Sequence, residues 1–279
     1  MKLLVTGAGG MLGRAVAASA GARDHDVTAL SRADLDVTDA ATVRAAIAAA
    51  APDVVVHCAA WTDVDGAEEH EQEALAVNGE GAGSVAAAAG EVGAFVVHVS
   101  TDYVFDGTKR EPWVESDAVA PLGAYGRTKL AGERAVAAAT PDHAIVRTAW
   151  LFGAGGRNFV DTMLALGAQR DEVSVVTDQV GCPTWTGHLA DGLVALAERR
   201  SPGIHHLAGA GWCSWHGLAV EVFARAGVDV HVVPTTSDAF RRPAPRPAWS
   251  VLGSERPRAL TLPPWREGLA RYLASRVAA

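Results

Sequence analysis

Short, continuously apolar runs alternate with Ala-rich stretches of helical period through the first half of the chain. The pattern predicts strands over Leu3–Thr6, Val27–Leu30, Val54–His57, Phe95–Ser100 and Ala144–Thr148. Between them it predicts helices over Met11–Ala20, Ala40–Ala50, Glu68–Ala89 and Leu122–Ala139. Strands without polar alternation, each followed by a helix, imply a parallel sheet covered on both faces. The expected fold is α/β, a Rossmann-type doubly wound parallel sheet with a smaller C-terminal lobe.

After residue 150 the pattern loosens. Glycine and proline accumulate, as in Gly153-Ala154-Gly155-Gly156 and in Arg241 to Pro247. Helices are expected over Asn158–Leu166, Thr186–Glu198, Trp215–Ala226 and Trp265–Ala274. Residues 1–150 read as a dinucleotide-binding domain, and 151–279 as the end of the sheet plus a smaller substrate-binding lobe. The division is approximate and expected to be discontinuous. No repeat of 20–50 residues is visible.

The composition is that of a globular chain: 279 residues, 49% hydrophobic and 20% charged. A net charge of −8 disfavours nucleic acid and anionic membranes as partners. No apolar run approaches the length of a bilayer span. The N-terminal apolar run ends at glycine too soon for a signal-peptide core. Cys58, Cys182 and Cys213 are far apart and odd in number, which reads as a reducing cytoplasm without structural disulfides. No cluster of Cys, His and carboxylates has metal-ligand spacing, so no metal is expected.

Between the first strand and first helix, Gly7, Gly10 and Gly13 give Gly-x-x-Gly-x-x-Gly. The first glycine permits a tight turn and the second lets backbone approach a pyrophosphate at the helix N-terminus, here with Met11 and Leu12. The third lets helix and strand pack closely. Such a triplet also serves as a plain sharp turn; its place at the head of a βαβ pattern favours a dinucleotide. The second strand ends at Ser31-Arg32, where an NAD-selective site usually has an acid. Arg32 suits a 2′-phosphate, or is a solvated arginine. NADPH is the expected cofactor, with NADH as an acceptable second. Asp36 falls where the chain would cross the adenine, or else caps a helix. Ala59, Ala60 and Trp61 follow the third strand, where small residues let the chain run beside the cofactor.

Tyrosine is confined to three positions and lysine to Lys2, Lys109 and Lys129. Tyr125 and Lys129 nevertheless stand four apart on one expected helix, so phenol and ammonium share a face. The ammonium favours phenolate and should bring Tyr125, as a general acid, nearer neutral pH. Thr101 follows the fourth strand, at the carboxyl edge where open α/β sheets bind ligands. Its hydroxyl is placed to bond the substrate oxygen that becomes anionic on hydride transfer. Asp102 either bonds the substrate or closes an Asx turn. Trp150 either covers an apolar sugar face or packs in the core. Arg246 either reaches a diphosphate or is a solvated loop charge.

The chain resembles the extended short-chain dehydrogenases/reductases and, within them, the dTDP-4-dehydrorhamnose reductase family. The resemblance spans nearly the whole chain. It rests on Pro52 to Glu68, on Ser-Thr-Asp-Tyr-Val-Phe-Asp-Gly at Ser100 to Gly107, and on Arg147 to Gly153 with Asn158-Phe159. Asp178 to Thr184 and Arg246 to Ser250 carry it further. It implies NAD(P)H-dependent reduction of the C4 ketone of a dTDP-6-deoxy-L-hexulose, dTDP-4-dehydro-L-rhamnose to dTDP-L-rhamnose. By the same resemblance Tyr125 and Lys129 are acid and partner, and Thr101 polarises the carbonyl. Asp102 and Trp150 contact the sugar, while Gly10, Met11, Leu12, Asp36, Ala59, Ala60 and Trp61 lie along the cofactor. Some members bridge subunits with Mg²⁺ through glutamates, one just after the glycine turn. Here Gly13-Arg14-Ala15-Val16 holds no acid, so a metal-bridged dimer is not expected, whereas a homodimer of another kind is compatible. Met11 stands where the family often has Gln, and Trp61 where it usually has Tyr. Two alternatives accompany this reading: a 4-ketoreductase of another dTDP-deoxysugar, serving dihydrostreptose or an antibiotic sugar, and a non-catalytic NAD(P)-binding regulatory subunit.

Overall fold

The computed structural model describes residues 1–277. The chain runs β1 (Lys2–Thr6), α1 (Met11–Gly21), β2 (Asp26–Leu30), α2 (Ala40–Ala50) and β3 (Val54–His57). It continues through α3 (Gly66–Glu69), α4 (Glu71–Leu75), a π-helical turn over Ala76–Gly81 and α5 (Ala82–Glu91). Then come β4 (Phe95–Thr101), a short 3₁₀ turn over Asp102–Val104, α6 (Ala124–Ala139) and β5 (His143–Thr148). The second half holds β6 (Leu151–Phe152), α7 (Phe159–Gly167), β7 (Glu172–Val176), β8 (Val180–Gly181) and β9 (Thr184–Trp185). It closes with α8 (Thr186–Arg199), β10 (Gly203–His206), β11 (Cys213–Ser214), α9 (Trp215–Ala226), β12 (His231–Thr235) and α10 (Trp265–Val277).

Six strands form one parallel sheet in the order β10-β5-β4-β3-β1-β2. Successive residues of each strand feed opposite layers. Leu3, Val5, Val54, Val56, Val97 and Val146 pack under α1 and α8. Leu4, Val55, Val96 and Ile145 pack under α2, α5 and α6. This is why the central strands show no polar alternation. The strand order reverses between β1 and β3, and a cleft opens at the carboxyl ends of the strands there, as expected of a doubly wound sheet.

The sheet draws in α8 and β10 from beyond residue 150; β10 pairs with β5 at the edge. The remaining C-terminal segments gather round a separate apolar cluster of Phe152, Val160, Met163, Val173, Val175, Leu218, Val222, Phe223, Trp265, Leu269 and Tyr272. Three two-stranded pairs, β6 with β9, β7 with β12 and β8 with β11, frame it. β7 does alternate polar and apolar, with Val173 and Val175 buried, whereas the two-residue strands β6, β8, β9 and β11 are too short to show a period.

The helix expected over Glu68–Ala89 is broken. His70 leaves helical geometry at φ −124° and ψ 43°, and the π turn then inserts an extra residue into the ladder. The turn has a use. Asn78 accepts from Trp61 N–H at 2.9 Å and donates to the Trp61 carbonyl at 3.1 Å and to Thr128 Oγ1 at 3.1 Å. It ties the loop after β3 to α6. A Cβ at Gly132 would lie 2.1 Å from the Asn78 carbonyl oxygen, so α6 approaches this turn through glycine. The helix expected from Leu122 begins at Ala124 instead, because Gly123 is extended and Glu68 Oε1 accepts from Ala124 N–H at 2.8 Å. Among the described residues no helix is long and apolar enough to cross a membrane.

Candidate active site

A cleft of about 830 Å³ lies across the carboxyl ends of β1, β3, β4 and β5. Gly7, Gly10, Met11, Leu12, Gly13, Arg32, Asp36, Ala59, Ala60, Trp61, Thr101, Asp102, Tyr125, Lys129 and Trp150 all line it. Arg246 does not.

The first wall is built from backbone. Gly7 has φ +66°, and a Cβ there would lie 2.6 Å from Ala59 N. A Cβ at Gly13 would lie 2.3 Å from the Gly7 carbonyl oxygen. Gly10 is the extended N-cap of α1 and offers no capping side chain, so the helix's first N–H groups face the cleft. The cradle fits a dinucleotide pyrophosphate, which needs close backbone, unpaired N–H groups and no intervening Cβ. Arg32 is exposed at the end of this wall. Asp36 is no helix cap: its Oδ1 accepts from Thr38 N–H at 3.0 Å and Thr38 Oγ1 at 2.8 Å, while Asp39 caps α2.

The opposite wall is built from side chains. Tyr125 sits in the first turn of α6 and Lys129 one turn later, both facing the end of β4. Lys129 is almost fully buried and donates to the Val99 carbonyl at 2.7 Å. Burial lowers its ammonium to about 8, opposed by Glu133 and Cys58. The Thr101 hydroxyl accepts from Tyr103 N–H at 3.1 Å and donates to Asp102 Oδ1 at 3.0 Å. Burial pushes Asp102 up to about 7, with Ser250 and Thr101 pulling the other way.

Tyr125 corrects one expectation. Burial, reinforced by the Asp102 charge, pushes its phenol up to about 12, with Thr101 pulling the other way. It is thus not brought towards neutral pH by Lys129. A phenol held in this way stays protonated near neutrality, which is the form a proton donor needs. An alkoxide is a far stronger base than a phenolate, so transfer from Tyr125 to it still runs downhill.

Trp150 has φ +48°, a conformation rare for a bulky residue. The turn throws its indole into the cleft, where it stacks on Trp215 with centroids 3.5 Å apart and planes 1° from parallel. Trp215 is held by Gln179 Oε1 at 3.2 Å and also lines the cleft. Arg246 lies elsewhere. Its Nη1 and Nη2 donate to Asp65 Oδ1 and Oδ2, both at 2.9 Å. Arg246 and the Ala244 N–H hold the Asp65 carboxyl below its usual range, and the Pro-rich segment is thereby pinned to the loop before α3.

Trp215, Asn78 and Arg157 escaped the reading of the sequence. Arg157 borders the cleft beside Gly155 and Gly156. The loop carrying it is fixed by Asn158, which caps α7 through Asp161 N–H at 3.0 Å and donates to the Gly153 carbonyl at 3.0 Å. The signal for Asn78 was an asparagine set among glycines, Gly79 and Gly81, in an otherwise Ala-rich helix. No local signal distinguishes Trp215 from a core tryptophan.

A parallel sheet with a glycine cradle at its switch point, facing a Tyr-Lys pair and a threonine, defines a Rossmann-type nucleotide-cofactor reductase of the short-chain class. The chain belongs to the dTDP-4-dehydrorhamnose reductase family: the family model described as RmlD substrate binding domain matches residues 1–277. A dTDP-4-dehydrorhamnose reductase of Streptomyces griseus is 50% identical over 276 residues, covering 95% of this chain and 91% of that protein. A Streptomyces antibioticus protein, named as a probable dTDP-4,6-dihydroxy-2-methyloxan-3-one 4-ketoreductase, is 47% identical, with 96% and 93% covered. Among solved structures, a dTDP-4-dehydrorhamnose reductase of Bacillus anthracis in complex with NADP superposes with a TM-score of 0.95. It is 37% identical, and the match covers 99% of this chain and all of that one.

Proposed function

We propose that the chain reduces the C4 ketone of dTDP-4-dehydro-L-rhamnose, giving dTDP-L-rhamnose, with NADPH as the cofactor. The observation that carries this reading is the meeting of Thr101, Tyr125 and Lys129 at the open end of β4, across one cleft from the glycine cradle.

Bound NADPH supplies the hydride. Gly7, Gly10, Met11, Leu12 and Gly13 would hold its pyrophosphate, with Ala59, Ala60 and Trp61 beside it, and Arg32 would pair with the 2′-phosphate. Asp36 would stand on the adenosine side. Tyr125 donates its phenolic proton to the C4 oxygen as negative charge develops there. Thr101 bonds the same oxygen; to do so its single hydroxyl hydrogen must turn away from Asp102 Oδ1. Lys129, fixed to the Val99 carbonyl, stabilises the phenolate left behind. Asp102 bonds sugar hydroxyls, and Trp150 presents an indole face to the ring. Arg246 serves through its clamp on Asp65, holding the Pro-rich segment beside the cleft. In this reading residues 1–150, completed by α8 and β10, hold the cofactor, and the rest of 151–277 forms the sugar side. The three cysteines are free, which fits a cytoplasmic enzyme.

The test is NADPH oxidation with a panel of dTDP-4-keto sugars. The highest kcat/KM is expected with dTDP-4-dehydro-L-rhamnose. Preference for another ketosugar would favour the second reading, which the 47% identical ketoreductase supports. Absence of oxidation with every sugar, despite NADPH binding, would leave a regulatory dinucleotide-binding protein.

A further inference from the structure

Beneath the Tyr125 and Lys129 pair lies a charged cluster shielded from solvent. Glu133 stands four residues after Lys129 on α6, so the two share a helical face. Glu133 is 4% exposed and Arg147, on β5, 2% exposed. Arg147 grips the carboxylate twice, Nε to Oε1 at 2.9 Å and Nη2 to Oε2 at 2.7 Å. Ser100, on β4, donates to Oε1 at 2.6 Å. The guanidinium also lies 5.1 Å from the centroid of Phe105. One carboxylate thus joins α6, β4 and β5, immediately before Thr101 on β4 and one turn below Lys129 on α6.

Stability alone is a weak reason for such a pair. Desolvation offsets most of the attraction, and apolar replacements are often as stable. Its position relative to Lys129 gives a better one. His57 at the end of β3, Cys58 just after it and His98 on β4 lie near Lys129. Burial and the Lys129 charge push both histidines down, His57 to about 3, and burial pushes the Cys58 thiol up to about 12. All three are neutral at working pH. The 3₁₀ turn brings Asp102 against Tyr125, the π turn presents only the neutral Asn78, and Arg127 is occupied by Glu71 on the outer side of α6. Arg147 stands behind Glu133. Glu133, its oxygens held by Arg147 and Ser100, is therefore the carboxylate that stands one helical turn from Lys129 on the same face of α6.

We propose that Glu133, held by Arg147 and Ser100, is a positioning residue for the Tyr125 and Lys129 pair: it locks α6 to the end of β4 and is the counter-charge that keeps the Lys129 ammonium protonated. The proposal rests on the roles given to Tyr125 and Lys129 above. It extends them by assigning the charge state of Lys129 to a residue that touches neither cofactor nor substrate.

The experiment is the pH profile of kcat/KM, with NADPH and the ketosugar, for wild type, Lys129→Met, Glu133→Gln and Arg147→Met. Burial and Glu133 act on Lys129 in opposite directions. Removing the Glu133 charge lets burial prevail, so the alkaline limb should move down by about one pH unit. Arg147→Met removes the cation that takes both Glu133 oxygens, so Lys129, one turn away, feels more of the carboxylate charge and the limb should move up. Glu133→Asp, which keeps the charge, should return the limb towards its wild-type position. A purely structural ion pair would lower kcat alike at every pH and move neither limb. If Glu133→Gln does not fold, the Arg147→Met profile decides alone, and an unmoved or lowered limb overturns the proposal. If both variants shift the limb the same way, the proposal fails. Near wild-type turnover by Lys129→Met would sink the reading of the pair itself, and this proposal with it. Inactive Lys129→Met beside a Glu133→Gln profile that matches wild type would overturn the proposal alone.

Discussion

The two walls of the cleft recognise by opposite means. The glycine wall works through missing side chains: Gly7 and Gly13 leave room for backbone to meet backbone, and α1 presents bare N–H groups. The facing wall works through side chains that are present and held, with Lys129 on the Val99 carbonyl, Thr101 between Asp102 and Tyr103, and Trp150 on Trp215. One wall is damaged by adding a carbon. The other is damaged by removing a single oxygen, even when shape is kept. A dinucleotide is recognised largely by backbone geometry, whereas protonating one oxygen of a ketone requires one particular hydroxyl.

The sharpest test of this contrast is Tyr125→Phe. The phenyl ring keeps its edge contact with Tyr103, whose centroid is 5.8 Å away, and only the proton donor is lost. Turnover should fall by roughly 10²–10⁴-fold, the usual scale of general acid catalysis, with NADPH affinity unchanged. Stopped-flow reduction and a fluorescence titration of NADPH separate the two quantities. A kcat near wild type would remove Tyr125 from the chemistry.

Gly13→Ala tests the other wall by adding one methyl group. Its Cβ would meet the Gly7 carbonyl oxygen and Ala8 Cα, both backbone, so the turn itself must move. The dissociation constant for NADPH should rise at least about tenfold. Stability should fall by about 1–3 kcal/mol, the cost of overpacking a close contact. Unchanged NADPH affinity would mean that the close approach of α1 to β1 has no part in the cradle.

Arg32 is the one charged side chain on the glycine wall given a specific task, and it blurs the contrast. If it pairs with the 2′-phosphate, Arg32→Ala should shrink the preference for NADPH over NADH about tenfold, the scale of one hydrogen bond to a charged group. Binding of NADH should stay as it is. Equal losses for both cofactors would return Arg32 to the solvated surface.

Both walls were partly legible in the sequence because each has a local component. The glycine turn is written in eight consecutive residues at the end of an apolar run, and Tyr125 with Lys129 needs only one helical turn. What is held by distant chain was not legible. The Trp150 stack depends on Trp215, and the pairing of β10 with β5 joins residues some sixty positions apart. Arg246 looked free because its partner Asp65 lies in the other half of the chain. The π turn was hidden for a different reason: in an Ala-rich helix one inserted residue changes no polar pattern. The phenol of Tyr125 was misjudged in direction because helical spacing reports the neighbour, not the burial.

The last effect is on stability, and pH brings it out. Asp102 is buried on the side-chain wall, and its carboxyl is raised by burial to about 7 from an ordinary 3.8. Between those two values the native state keeps a proton that the unfolded chain has released. The native state then binds more protons, so this group makes stability fall as pH rises through the window and level off above it. Asp102→Asn cannot titrate and lacks that slope, while keeping an oxygen to accept from Thr101. The melting temperature of the variant relative to wild type should therefore rise from pH 4 to pH 8, by about 3 °C or more for a chain of this size. The glycine wall, which has no buried acid of this kind, offers the control: Gly13→Ala should shift the melting temperature equally at both pH values. A constant difference for Asp102→Asn would show a carboxylate ionised throughout, and Thr101 would then have to compete with a full negative charge for its own hydrogen.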